Sequence, residues 1–454
     1  MVRALPGRPR GGASCRINQT PNWAGGGIGS GDVFDRTIQL LKGPKPVFGE
    51  FNLSTLPEKE SVKGVLSWGV EDGAKLLLFE PGEAWQAREL GGQHRVFGLL
   101  SDNTLITLPE ARVSGYHHSA MFEATFRSSS LLLGANVEED EDVWSEMSFG
   151  LAHLHGWLPR TGISGPEYEW DEQHRLKRVR VDWSPVEPVE ISLKEGVEIK
   201  LGFGMEAPLT VSPRRTIDTN LMIRVSDGRG ASIDELERRH LRPWLVFSTV
   251  VADYWDSPTF HQVRGAKFEL PVRVLREGRT AVARDWQPGR NLYLFSAEDC
   301  EDIAAVMTRW LELYERAGLP IAVYGETLRD GNSYSPGRLI QLVTALEGYC
   351  DAIGLQGRTL LDKFKALRDK SEVDPEATGC SDTNLNFLWR ARNYFTHLGA
   401  RGGYSPGELE SGLLQSCRWA GAIMQSCLLR ELGFSAAEAE SLIGKHYQRW
   451  PLPR

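Results

Sequence analysis

The spacing of apolar residues changes period once along this chain, and that change decides which folds are open to it. Between residue 46 and about residue 290, short apolar runs such as "KGVLSWGV", "AKLLLFEPG", "NTLITLPEA" and "SAMFEATFRS" are punctuated by Gly, Asp, Asn and Pro. Punctuation at about ten-residue intervals predicts antiparallel strands joined by turns, closed as a sandwich or a barrel, rather than βαβ units. One helical run interrupts, "SIDELERRHLRPWLVFSTVVADYW". Ser232 is its expected cap, Glu235 the capping-box partner, and Pro243 should kink or end its first half. After "GRNLYLF" the repeat becomes helical and stays so.

In the helical part, "AEDCEDIAAVMTRWLELYERAG" is expected to end at Gly318, and "SPGRLIQLVTALEGYCDAIG" to start at Pro336 and stop at Gly354. Further helical runs follow, joined by short Gly/Pro/Ser links, and antiparallel packing of such helices is the natural outcome. The expected fold is therefore α+β and multidomain. A Gly/Pro/Arg-rich basic tail occupies 1–45, an antiparallel β-rich, sandwich-like domain 46–290, and an all-α bundle 291–454.

Composition narrows the function classes. The chain is 41% hydrophobic and 25% charged over 454 residues, in the range of globular proteins, and no run approaches the ~20 apolar residues of a bilayer span. The expected location is cytoplasmic, with no membrane partner. A net charge of −8 argues against broad attraction to nucleic acid or anionic lipid, while leaving room for one local positive cleft. The six cysteines form no C-x-x-C pair and are expected to be free thiols. The tail has no acidic residue before Asp32 and no apolar signal-peptide segment; it is expected to be mobile, with an RNA-touching arm or a misplaced start as the other readings.

The segment that carries chemistry is "RARNYFTHLG", residues 390–399. On a wheel of 100° per residue, Phe387, Leu388, Ala391, Tyr394, Phe395 and Leu398 form an apolar arc. Asn386, Arg390, Asn393 and His397 form the opposite stripe. Arg392 stands about 140° from His397, so only Asn393 and His397 are natural one-turn neighbours. Gly399 marks the helix end, where the dipole favours a protonated imidazole. The alternative is a solvated arginine and an ordinary C-terminal histidine.

"RNYFTH" fits the R-polar-x-x-x-H signature and resembles the HEPN family, all-α bundles that commonly act as metal-independent ribonucleases. The upstream helix "LIQLVTALEGY", with Glu347, resembles the helix preceding that motif in the ApeA-like branch. Residues 46–290, with "GVLSW", "LLLF" and "LITLPEA", resemble the β-rich N-terminal domain of that branch. The resemblance implies a homodimer or higher homo-oligomer in bacterial toxin or antiphage defence, an RNA substrate, no cofactor and no metal. It also implies a phage-derived or small-molecule trigger at a sensing β domain.

Each side chain has a chemical use in RNA cleavage. A histidine can take the 2′-OH proton or protonate the 5′-oxygen. A guanidinium can clamp the non-bridging phosphate oxygens. His397 is thus the acid/base, Arg392 the clamp, Asn393 the orienting amide, and Glu347 a supporting residue that would fix Arg392. The products would be 2′,3′-cyclic phosphate and 5′-OH ends. One histidine cannot easily make both proton transfers, which favours two motifs meeting in a dimer.

Competing features are weaker. "RVSGYH" (Arg112 to His117) and "RELGGQH" (Arg88 to His94) satisfy the same loose spacing but lack the asparagine and the helical period. His153 and His155 in "HLHGW" would share one face of a strand, a metal pair with no third ligand evident. "AGGGIGSGD" lacks the strand and helix that frame a phosphate loop. The helical domain has 17 Lys/Arg against 21 Asp/Glu, so no basic surface advertises a substrate. The rival reading is a non-catalytic dimerisation or ligand-binding module with a regulatory β domain.

Overall fold

The computed structural model describes residues 38, 40–41, 45–53, 61–79, 92–118, 122–138, 144–158, 162–206, 218–278, 293–329, 334–397 and 403–449. Most of the basic tail, the Gly-rich "AGGGIGSGD", Arg88 and the 290/291 boundary lie outside them, as do the side chains of His117 and His118.

An antiparallel β domain spans 46–276 and a helical region 303–446. The strands are β1 Val47–Leu53, β2 Val62–Gly69, β3 Gly73–Phe79, β4 Gln93–Leu100, β5 Leu105–His118, β6 Phe122–Ser128, β7 Ser130–Leu133, β8 Trp144–Leu151, β9 Ile163–Trp170, β10 Leu176–Trp183, β11 Val189–Ser192, β12 Val197–Glu206, β13 Asp218–Ala231, β14 Pro258–Gly265 and β15 Val272–Arg276. Thirteen form one sheet in the order β11-β12-β13-β8-β14-β15-β7-β5-β4-β1-β2-β3-β6.

That sheet closes at one end. β5, 14 residues long, pairs with β4 through its first part and with β6 through its last. The circuit β5-β4-β1-β2-β3-β6 is therefore a six-stranded barrel, and a register shift between Val113 and Gly115 lies where β5 turns toward β6. Of the two closures open to the sequence, the chain uses the barrel, continued through β7 and β15 into an open sheet.

Phe51 fills the barrel at 0% exposure, and space for its ring comes from glycines on the neighbouring strands. A Cβ on Gly98 would lie 2.6 Å from the Phe51 ring, and one on Gly64 2.6 Å from the Leu77 carbonyl oxygen. Gly64→Ala is therefore expected to cost about 1–3 kcal/mol by overpacking. A fall in melting temperature reads it, and an unchanged one would contradict this packing.

The open half of the sheet shares a single core with the helices, in which Trp144, Phe149, Ile223, Trp244, Phe247, Trp310, Leu346, Leu388 and Leu428 belong to one buried cluster. The helices are α1 Leu154–Trp157, α2 Ile233–Leu236, α3 Arg242–Ala252, α4 Ile303–Glu326, α5 Pro336–Ala352, α6 Leu360–Ser371, α7 Pro375–Thr378, α8 Asp382–His397, α9 Pro406–Ser411, α10 Leu413–Glu431 and α11 Ala436–Arg449. The Ser232 hydroxyl accepts the Glu235 N–H, as its spacing predicts. Pro243 is accommodated by a wide π turn at Glu237–Leu241, and its carbonyl accepts the Trp310 indole N–H at 3.0 Å.

Two helix ends differ from expectation. α4 does not stop at Gly318 but runs on to Glu326 across a kink at Ala317, the local cost of Pro320. Ile321, Ala322 and Tyr324 are buried beyond the kink, and that packing outweighs the break signal. The run "SPGELESGLLQSCRWAGAIMQSCLLRELG", which reads as one helical segment, is two helices split at Gly412, where the Phe387 ring occupies the space of a side chain. Among the described residues no helix is long and apolar enough to cross a membrane.

Candidate functional site

α8 begins at the Ser381 hydroxyl, which accepts the Asn384 N–H at 3.4 Å, and at Asp382, which pairs with Lys365 and Arg368 of α6. Both pairs are surface contacts that set direction more than stability. The helix is anchored by Leu385, Leu388 and Ala391, all at 0% exposure. Phe387, Trp389, Tyr394 and Phe395 pack half-buried around that line.

The buried line is rotated toward Leu385 relative to the expected apolar arc, by roughly 60° on the helical wheel. Leu398, the last member of that arc, lies outside the described residues. The rotation brings Arg392 onto the flank of the core, where it is half-buried, and leaves His397 on the opposite, exposed face. Arg390 is half-buried because its guanidinium lies 4.5 Å over the Trp389 ring.

Arg392 donates from Nη1 to Oδ1 of Asn393 at 3.2 Å, so these two are joined. Among the described residues no carboxylate lies within ion-pair distance of Arg392, and its charge is left un-neutralised. His397 is the last helical residue, exposed, with no hydrogen-bond partner among the described residues. The helix is regular to that point, so Arg392 and His397 still diverge by about 140° within one chain.

Glu347 of α5 is committed elsewhere. Its carboxylate accepts from Lys363 of α6 at 3.4 Å, and Asp351, one turn on, takes the same ammonium at 2.7 Å. The hydrogen bond that Lys363 donates to Asp351 is the main cause that raises its pKa, with burial opposing it. In the single chain Glu347 thus ties α5 to α6.

The histidine pair is not on a strand. His153 sits in a turn and His155 in α1, so their rings do not converge as strand neighbours would. His153 lies edge-on to Tyr254 with Nε2 3.3 Å from the Trp255 carbonyl, while His155 faces Phe203 and burial lowers its pKa. Among the described residues no group of three His, Cys, Asp or Glu is placed to hold a metal. Cys350, Cys380, Cys417 and Cys427 are buried free thiols, and burial raises the pKa of each.

Two buried polar networks carry no motif and escape sequence reasoning. Asp256, 1% exposed, accepts from the Ser248 hydroxyl and from the backbone N–H of Ser257 at 2.7 Å and His153 at 3.2 Å. Burial raises its pKa, and the group clips the turn before α1 to the end of α3. Asp227 on β13 accepts two bonds from the Arg229 guanidinium, each 2.9 Å, and lies 3.1 Å from Nε2 of buried His240.

None of the curated proteins compared with the chain matches it. Among solved structures, MrkH, described as a novel c-di-GMP dependence transcription regulatory factor, is 9% identical over 46% of this chain and 85% of its own, with a TM-score of 0.15. A likeness that low carries no argument. The family match stops at residue 242, the first residue of α3. Residues 46–242, the barrel and most of the open sheet, match the family model of ApeA N-terminal domain 1 and are similar to it.

Proposed function

We propose that the chain is an endoribonuclease of an antiphage defence type, working as a homo-oligomer, with its chemistry at the end of α8. The observation that carries this reading is Arg392. An arginine half-buried against a core, bonded to an amide and free of any described carboxylate, keeps a full charge for a phosphate. An exposed imidazole five residues on, at a helix C-terminus, supplies the proton-transfer group.

In the reaction the 2′-oxygen attacks phosphorus as His397 removes its proton. The P–O5′ bond breaks, and the 5′-oxygen takes a proton from a second His397, that of another copy. Arg392 holds the non-bridging oxygens while charge builds, and Asn393 fixes the guanidinium. The RNA supplies its own nucleophile, so these steps call on no metal. Similarity of residues 46–242 to an ApeA N-terminal domain supports a sensing role for the barrel half by analogy of fold.

Full-length protein incubated with total RNA, with and without EDTA, tests this. Cleavage should persist in EDTA and leave 2′,3′-cyclic phosphate and 5′-OH ends. RNA that stays intact even with extract from phage-infected cells added as the trigger source would favour the rival, a non-catalytic dimerisation or ligand-binding module.

A further inference from the structure

Among the described residues β9 and β10 pair with each other and with no other strand, as a separate two-stranded sheet. Every described side chain from Ser164 to Asp182 is exposed except Asp171, which is half-buried. A lone two-stranded hairpin is marginal in water and gains stability from a second layer. The register shows what such a layer would meet. Tyr168 lies opposite Val179 and Trp170 opposite Leu176, on one face, while Glu167 and Glu169 lie opposite Arg180 and Arg178 on the other. Tyr168, Trp170, Leu176, Val179 and Val181 are 57, 57, 50, 47 and 41% exposed. Five such side chains on one small sheet reach several hundred Å², about the most that a monomer leaves open.

We propose that this face is a self-association surface whose occupant is the same hairpin of a second copy. The proposal does not rest on the nuclease reading. Edge-to-edge pairing is blunted, because β10 is irregular between Leu176 and Arg178 and again between Arg180 and Asp182, and β9 carries Pro166. A nucleic acid fits poorly, because Lys177 is held by Glu169 at 2.6 Å and Arg180 by Asp182 at 2.8 Å, and the apolar face continues as aliphatics.

A second copy fits by symmetry. β9 contributes the aromatic row and β10 the aliphatic row. A two-fold axis parallel to the strands lays each aromatic row on the other copy's aliphatic row, with Tyr168 over Val179 and Trp170 over Leu176. The perpendicular two-fold would stack bulk on bulk. The total area, on the order of 1,000 Å², is at the small end of specific interfaces, so the contact should be dissociable.

Sedimentation velocity of the full chain over a concentration series tests this. Wild type should self-associate in the micromolar range. Trp170→Glu, with an unchanged circular dichroism spectrum, should weaken association more than tenfold and halve the limiting mass. A wild type that stays monomeric, or a Trp170→Glu variant that associates equally well, overturns the proposal. Orientation is read by mixing Tyr168→Cys and Val179→Cys chains under mild oxidation. Mixed disulfide dimers should outnumber self-linked ones, and the reverse result rules out the two-fold parallel to the strands.

Discussion

His397→Ala is expected to slow RNA cleavage by about 10²–10⁴-fold, the range for losing a general acid or base. The melting temperature should hardly move, because the ring is exposed and bonds to nothing among the described residues. Arg392→Ala should cost about 10²–10³-fold, as for removal of one donor to a developing oxyanion. Arg392→Lys keeps the charge but not the planar fork that Asn393 holds, and should recover only part of that loss. The decisive measurement mixes His397→Ala with an equal amount of wild-type chain. The helix is regular through His397, so one chain directs Arg392 and His397 to different sides. If the working site uses the His397 of both copies, random assortment leaves both histidines in only about a quarter of the dimers. Activity should then fall to roughly a quarter of that of the same total of wild-type chain, below the half left by simple dilution. Activity that falls only to half, with the variant still able to associate, would end the two-chain mechanism.

The order of β-rich then helical structure is legible in the sequence because it depends on local periodicity. The cap at Ser232 is legible for the same reason, being settled within three residues. The barrel closure is not, because it depends on which strands the two parts of β5 meet, and pairing partners leave no local trace. The buried face of α8 differs by part of a turn from the apolar arc of the sequence, because the apolar residues cover more than half of the helix. Only packing against α5, α6 and α10 singles out Leu385, Leu388 and Ala391. The exposed hairpin is the sharpest case. Its alternation signals a half-buried strand, and only the structure shows that the apolar face is exposed. At the candidate site, the spacing of Arg392 and His397 and the adjacent Asn393 are local pattern, and the structure adds the bond between Arg392 and Asn393. The pairing of Glu347 with Lys363 depends on where α6 lies and could not be read from either helix.

Asp227→Asn should lower stability at neutral pH by about 2–3 kcal/mol, and Asp227→Ala by about 3 kcal/mol or more. "SDGRG" reads as a strand ending in a glycine-rich turn, yet β13 continues to Ala231, and Asp227 holds the irregular stretch together. Its carboxylate is 0% exposed, binds Arg229 through both the guanidinium and, at 3.1 Å, the backbone N–H, and faces His240. Burial lowers the His240 pKa, so the ring can be neutral and donate from Nε2. Removing the carboxylate strands that buried N–H, whereas Arg229, which is partly exposed, can turn to water; this keeps the loss at the low end for a broken buried pair. The bond from Arg229 is the largest influence holding the Asp227 pKa well below the usual 3.8, with His240 adding to it and burial opposing. A group whose pKa is lower folded than unfolded stabilises fully above the unfolded value and loses that contribution as pH falls below it. Urea midpoints of wild type and Asp227→Asn should therefore differ by a constant amount above about pH 5 and converge below about pH 4. Equal midpoints at pH 7, or a gap that persists undiminished at about pH 3, would show that Asp227 does not bear this load.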